Sequence, residues 1–276
     1  MPPRFETEAV LGTVAELAAR RYDAAVVFTS SHQSPLPMAL LARLAGIPFV
    51  AATSVDYPGT LLDVRHRRPD GLHEVEAALD LVRAAGFAPP RGLDDRLAVR
   101  RPSPGTAPAA VPYVVVHPGA SVPSRAPSPE HARRIVAELV RRGHQVVVTG
   151  GPGERELGAF VRAGQEPVRD LSGHTTLAEL ADVLAHARCV VVGNTGPAHL
   201  AAAVGTPVVS LFSPVVPADR WAPWGVPSVL LGDQGAPCHG TRARTCPLAG
   251  HPCLSSVPAT EVVDAVEHLL ARAVVA

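Results

Sequence analysis

The residues best suited to chemistry stand where an apolar run meets a helix-like segment, Gly193-Asn194-Thr195-Gly196-Pro197-Ala198-His199-Leu200. Pro197 is tolerated near the first turn of a helix, and the unpaired N–H groups and positive dipole end of such a start favour a phosphate. Gly196 permits close backbone approach, Thr195 offers a hydroxyl donor, and His199 lies one turn into the helix, within reach of a diphosphate oxygen. The same residues also fit a plain capped helix with a satisfied histidine. A second loop, His117-Pro118-Gly119-Ala120-Ser121, is followed by Arg125. Its small residues leave room for a ligand and Arg125 could neutralise a departing diphosphate; the alternative is a Pro/Gly turn bearing a solvated arginine.

A third loop, Thr149-Gly150-Gly151-Pro152-Gly153-Glu154-Arg155-Glu156, superficially matches the dinucleotide fingerprint, with Asp170 at about the distance of a ribose-binding acid. Glu156 stands where the third glycine is needed, so a nicotinamide-dependent oxidoreductase is the weaker reading. Glu154 is then either a donor-ribose contact or a helix-start cap. The fourth cluster, Cys238-His239 through Cys246, His251 and Cys253, has ligand types that suit zinc but no Cys-x-x-Cys pair. It fits free thiols or a redox-dependent pair in a surface loop, while Cys189, inside a strand-like run, fits the core.

The elements that carry these loops are regular from Tyr113 onward. Strands are expected at Tyr113–Val116, Gln145–Thr149, Val168–Leu171, Cys189–Gly193 and Pro207–Phe212, with helices at 129–142, 153–163, 176–187, 197–204 and Thr260–Ala271, the last after a long Pro-rich loop. Continuous Val-rich strands between amphipathic helices indicate a parallel sheet covered on both faces, a Rossmann-like half whose ligands gather at the carboxyl ends of its strands. The earlier segment alternates less completely: a helix over 6–20, strand Ala24–Phe28, helix 36–45, strand Ile47–Ala52, a loop rich in Pro, Arg and His from Tyr57 to Asp70, and a helix Leu72–Ala85 stopped by Gly86. Residues 87–111, with Pro89, Pro90, Pro102, Pro104, Gly105 and Pro108, have no apolar period and serve as the linker.

Composition narrows the partners. A chain of 276 residues accommodates two α/β domains. Its 25 basic residues balance 25 acidic ones, which excludes an overall pull toward nucleic acid or an anionic membrane. No apolar run reaches the length of a membrane span, and the opening lacks a charged-then-apolar secretory pattern, so a cytoplasmic protein is expected.

Three segments taken together resemble glycosyltransferase family 9, the heptosyltransferase-like family: His117 to Ser121, Asp170-Leu171-Ser172-Gly173 with Thr176-Leu177, and Asn194 through Pro207. Leu211-Phe212-Ser213-Pro214 and Cys246-Pro247 to Cys253 extend the resemblance over residues 113–270, and residues 20–86 are similar to the family's acceptor domain more weakly. The resemblance implies an α/β fold of GT-B type, with an incomplete acceptor-side Rossmann-like domain at 1–105 and a donor-binding Rossmann-like domain at 106–276. It also implies a metal-independent, inverting enzyme that needs no cofactor and moves a heptose- or hexose-like sugar from a nucleoside-diphosphate donor, ADP-linked in preference, to a glycan or small-molecule acceptor.

By the same resemblance Ser121, Arg125, Thr195, Gly196 and His199 hold the diphosphate, Glu154 and Thr175 lie nearer the nucleoside, and Asn194 and Pro197 complete the donor loop. Two departures follow. Asn194 replaces the family's common Asp, and nothing before Ala24 matches the strand, Gly-Asp loop and helix that supply the family's catalytic Asp. Asp56, Asp63, His66 and His73 are then expected to be solvated loop residues, and the base is left unassigned. A catalytically incomplete sugar-nucleotide-binding protein is the alternative.

Overall fold

The computed structural model describes residues 6–273 except 31, 89, 91, 93 and 101–110, so Pro89, Pro102, Pro104, Gly105 and Pro108 of the expected linker lie outside the described residues. Contacts divide the chain into two compact units, Met1–Asp94 and Asp95–Ala276. The second begins at Asp95 for a local reason. The Trp224 indole N–H donates to the Asp95 carbonyl at 2.9 Å, and Arg96 packs on Gly225, which holds φ +78.

The first unit runs α1 (Thr7–Arg20), β1 (Ala24–Val27), α2 (Leu36–Leu44), β2 (Phe49–Thr53), β3 (Val64–His66) and α3 (Glu74–Ala84). Its three strands are parallel in the order β1-β2-β3, and Ala39, Ala42, Ile47, Val50, Ala52 and Leu62 form its core. Strand β3 falls inside the stretch expected to be a loop. It is only three residues long and is fixed by polar side chains rather than by alternation: Asp63 accepts the Val50 N–H and the Arg43 guanidinium, each at 2.6 Å.

The same polar fixing corrects the expectation that His66 and His73 are solvated, while Asp63 is exposed though engaged. His66 is buried with Nδ1 2.7 Å from Thr53 Oγ1 and Nε2 2.9 Å from Asp80. His73 is buried as the N-cap of α3, accepting the Val75 N–H while Glu76 returns to its own N–H. Asp56, at the surface, accepts from Ser34 Oγ at 3.3 Å.

The second unit runs β4 (Tyr113–His117), α4 (Pro129–Arg141), β5 (Gln145–Val148), α5 (Arg155–Arg162), β6 (Val168–Asp170), α6 (Leu177–Ala185) and β7 (Cys189–Gly193). It continues with α7 (Gly196–Ala203), β8 (Val208–Leu211), α8 (Ala218–Trp221), β9 (Ser228–Leu231), α9 (Pro252–Ser255) and α10 (Ala259–Ala273). Six parallel strands lie in the order β6-β5-β4-β7-β8-β9. Because side chains alternate along a strand, Val114, Val116, Cys189 and Val191 pack on one face with Ile135, Leu139 and Val266, while Tyr113, Val115, Val190 and Val192 pack on the other with Leu184 and Ala201. Each such buried valine contributes about 1.5–3 kcal/mol relative to exposure. Burial also pushes the Cys189 thiol up to about 12, in keeping with a core residue.

Strand β9 and helices α8 and α9 fall in the stretch expected to be a Pro-rich loop. Ser228–Leu231 is a four-residue edge strand, half-buried, between Pro227 and Gly232, too short for alternation to show. Gly232 adopts φ +126 and a Cβ there would lie 2.7 Å from the Phe212 carbonyl oxygen, so only glycine lets the chain turn away at that point.

Candidate functional site

The chain winds outward in one direction from β4 to β6 and in the other from β7 to β9, so the order reverses between β4 and β7. Loops leaving the carboxyl ends of two strands at such a reversal diverge and open a crevice. The loop after β4 carries Ser121 and Arg125, and the loop after β7 carries Asn194, Thr195, Gly196 and Pro197. These six expected residues share one strand junction.

Gly193, the last residue of β7, sets the distance between the two loops. A Cβ there would come within 2.2 Å of the Arg125 carbonyl oxygen, so backbone packs directly on backbone. Arg125 ends a single 3-10 turn, Pro123–Arg125, whose middle residue Ser124 is buried. Its N–H donates to the Arg244 carbonyl at 3.0 Å and its hydroxyl to the Ala243 carbonyl. The Arg125 Nε is buried without a hydrogen-bond partner, and no acidic group pairs with this side chain among the described residues. Burial, and after it the nearby charge of Arg244, depress its pKa from the ordinary arginine value. A desolvated guanidinium without a counter-ion is a site for an anion.

Facing it, α7 starts with Thr195 in extended conformation, whose side chain makes no capping bond. A Cβ at Gly196 would meet nothing within 4 Å, so the space above the helix start is open. The inner face of α7 is anchored by buried Ala198, Ala201 and Ala202. Asn194 is buried, and its side chain is committed to the scaffold: Nδ2 donates to the Ser213 carbonyl and Oδ1 accepts the Ser213 N–H, each at 3.2 Å. His199 is half-buried with its ring edge-on to Trp221, centroids 6.3 Å apart.

On the β5 side, Glu154 accepts the Gly151 N–H at 2.6 Å, which is the helix-start capping arrangement. Its carboxylate covers Gly119, where a Cβ would sit 1.9 Å from Oε1, and its Oε2 stands 3.9 Å from His117 Nε2. His117 is buried, with Nδ1 2.9 Å from Thr149 Oγ1; desolvation lowers its pKa, and the Glu154 charge opposes that shift. Thr175 precedes α6, after β6, two strands out from β4. Asp170 accepts the Ser172 N–H at 2.8 Å, so its carboxylate is engaged in a turn and the fingerprint loop leaves β5 rather than the strands of the junction.

Cys238 and Cys253 are buried, Cys246 is half-buried, and all are free thiols. Among the described residues no group of three His, Cys, Asp or Glu side chains is arranged to hold a metal ion. The partners that sequence reasoning missed are Ser124, Ser213, Trp221 and Arg244. Each meets its counterpart across more than one element of chain, where no local spacing signals it.

The architecture and the loops at its centre match a known family: the model described as glycosyltransferase family 9 (heptosyltransferase) matches residues 11–251. The chain belongs to this family. A lipopolysaccharide heptosyltransferase 3 from Escherichia coli is 32% identical over 167 residues, which is 57% of this chain and 47% of that protein. A lipopolysaccharide heptosyltransferase 1 from Pseudomonas aeruginosa is 32% identical over 178 residues, 64% of this chain and 49% of that protein. The chain thus spans about half the length of the curated relatives it matches. The solved structure of the ADP-heptose heptosyltransferase II of E. coli superposes with a TM-score of 0.71 at 23% identity, covering 94% of this chain and 80% of that one. The family's fold is GT-B, with two Rossmann-like domains, and the α/β units with parallel sheets accord with it.

Proposed function

We propose that this chain binds the nucleoside-diphosphate part of an ADP-linked sugar at the β4/β7 junction and transfers a heptose- or hexose-like sugar to a glycan or small-molecule acceptor. The observation that carries this reading is the half-buried Arg125, its Nε buried without a hydrogen-bond partner, beside the open start of α7. Family membership gives the reaction class, and the name of the E. coli relative gives the choice of ADP-heptose as donor type.

In this reading Arg125 and the Gly196 N–H at the start of α7 hold the diphosphate, with hydroxyls of Thr195 and Ser121 completing its coordination. Asn194 and Gly193 act as positioning residues, Pro197 presets the helix start, and His199, braced by Trp221, lines the crevice. Glu154 and Thr175 lie toward the nucleoside side. The reaction is a single displacement with inversion. The acceptor oxygen, losing its proton to a base, bonds to the anomeric carbon as the bond to the diphosphate oxygen breaks, and the departing negative charge is taken up by Arg125 and the helix dipole. This charge stabilisation requires no metal. The base is assigned to none of the described residues.

A donor site loaded from a pool of nucleotide sugars, in a chain with four free cysteines, fits the cytoplasm. A second reading, binding without turnover, draws on the engagement of Asp63 with Arg43 and of Asp80 with His66, which leaves neither carboxylate free as a base. Calorimetric titration with ADP tests the donor site directly. Saturable binding that weakens about ten- to a hundredfold in Arg125→Ala is expected from losing a charged hydrogen-bond donor; equal affinity in the variant overturns the assignment. Turnover of ADP-linked sugar with acceptor then separates the transferase from the binder.

A further inference from the structure

We propose that Arg244 is a second cation of the donor diphosphate site, so that two arginines from distant parts of the second unit read two phosphates. This rests on the donor-site reading above and deepens it. Arg244 lies in the cysteine-bearing segment between β9 and α9, far along the chain from Arg125. Its backbone is nevertheless fixed beside the 3-10 turn, because buried Ser124 bonds to the carbonyls of both Ala243 and Arg244.

The segment itself is held to the sheet. The Gly240 N–H donates to the Pro214 carbonyl at 2.9 Å and the Arg242 N–H to the Val215 carbonyl at 2.8 Å, while Ala236 and Cys238 are buried in the core. Pro214 follows Ser213, the residue clasped by Asn194, so the loop after β7, the exit of β8 and the Arg244 segment form one continuous support.

Arg244 is thereby fixed through its backbone beside the turn that ends in Arg125, and neither arginine has an acidic partner among the described residues. Arg244 is exposed while Arg125 is half-buried, and the charge of Arg244 is felt at Arg125. Like charges held together by fixed backbone destabilise one another unless an anion lies between them. One phosphate bound between Arg125 and the α7 start leaves the outer arginine to meet the next phosphate along the chain, and Arg244 thereby distinguishes a diphosphate from a monophosphate.

The test is titration of the purified chain with ADP and AMP, for wild type, Arg244→Gln and Arg242→Gln. Arg242 supplies an equal charge on the same segment but its place in the support comes through its backbone N–H, so its side chain serves as the control. Arg244→Gln is expected to weaken ADP about tenfold and AMP distinctly less, with Arg242→Gln unchanged for both. Unaltered ADP affinity in Arg244→Gln overturns the proposal while leaving the donor site standing. Equal losses for ADP and AMP, or the same loss in Arg242→Gln, also overturn it, since either assigns the effect to loop packing or net charge. Wild-type protein that binds neither nucleotide removes the donor-site reading and this one together.

Discussion

The side-chain amide of Asn194 pairs with both backbone groups of Ser213, donating to the carbonyl and accepting from the N–H at 3.2 Å each. Only a neutral amide can do both, since a carboxylate has no proton to donate. Asn194→Asp therefore keeps one bond and sets a negative oxygen against the Ser213 carbonyl in a buried place. Its expected cost at neutral pH is about 1–3 kcal/mol relative to wild type. The deficit should shrink in acid, where the protonated carboxyl regains a donor. Denaturant unfolding of both proteins at neutral and acidic pH checks this, and a deficit independent of pH contradicts the assigned geometry.

Gly193 and Gly196 stand three residues apart in chain and are expected to respond oppositely to alanine. At Gly193 the added Cβ meets the Arg125 carbonyl at 2.2 Å, backbone that cannot swing away, so destabilisation of about 1–3 kcal/mol and displacement of Arg125 are expected. At Gly196 it meets nothing within 4 Å, and the residue starts a helix, so stability should hold or rise by a few tenths of a kcal/mol. The methyl group would nonetheless stand in the open space above the helix start. Melting curves with ADP titrations separate the cases: Gly196→Ala should bind ADP more weakly while remaining as stable as wild type.

The second sheet was legible because its strands are unbroken valine runs between amphipathic helices, a pattern that tertiary context rarely overrides. The loops of the β4/β7 junction were legible because glycine and proline mark a helix start on a buried strand. Strands β3 and β9 were not, since three or four residues cannot display a period, and what fixes β3 is Asp63 bonded across to Val50 and Arg43. The function of Glu154 was legible only as alternatives, ligand contact or helix-start cap, and Asn194 was legible only as a donor-loop residue. For each, a ligand contact and a backbone contact use the same polar atoms, and only the positions of Ser213 and Gly151 in space distinguish them.

Three histidines, the buried His117 and His131 and the half-buried His251, have pKa values depressed below 6.5, each chiefly by desolvation. His131 is the clearest, with both ring nitrogens buried and the Arg134 charge adding to the shift, against a smaller opposing contribution from the Val257 backbone. A depressed histidine pKa means that the unfolded chain binds more protons than the folded one. The stability contribution is then fully present above the unfolded pKa and is lost as pH falls from there toward the folded value. Folding free energy should therefore decline below about pH 6.5, by at most about 1.4 kcal/mol per pH unit for each group. His131→Leu should flatten that decline, as followed by denaturant unfolding over a pH series. An unaltered slope would mean that His131 binds protons equally in the folded and unfolded chain.

The first unit carries apolar surface that its own core does not use. Phe28 is 55% exposed at the end of β1, Leu44 60% at the end of α2, and Val55 and Tyr57 more than 80% after β2. In addition, β1 pairs only with β2 among the described residues, so one side of it presents unpaired backbone groups. An open strand edge beside exposed aromatic and aliphatic side chains is a template for another chain. The purified chain is expected to self-associate reversibly, with the sedimenting species growing larger as concentration rises. Phe28→Glu places a charge at the end of the open edge and should shift the protein toward monomer without weakening ADP binding, because the proposed donor site belongs to the second unit. A wild-type chain that sediments as a monomer at every concentration would show that this surface is already covered from within the first unit.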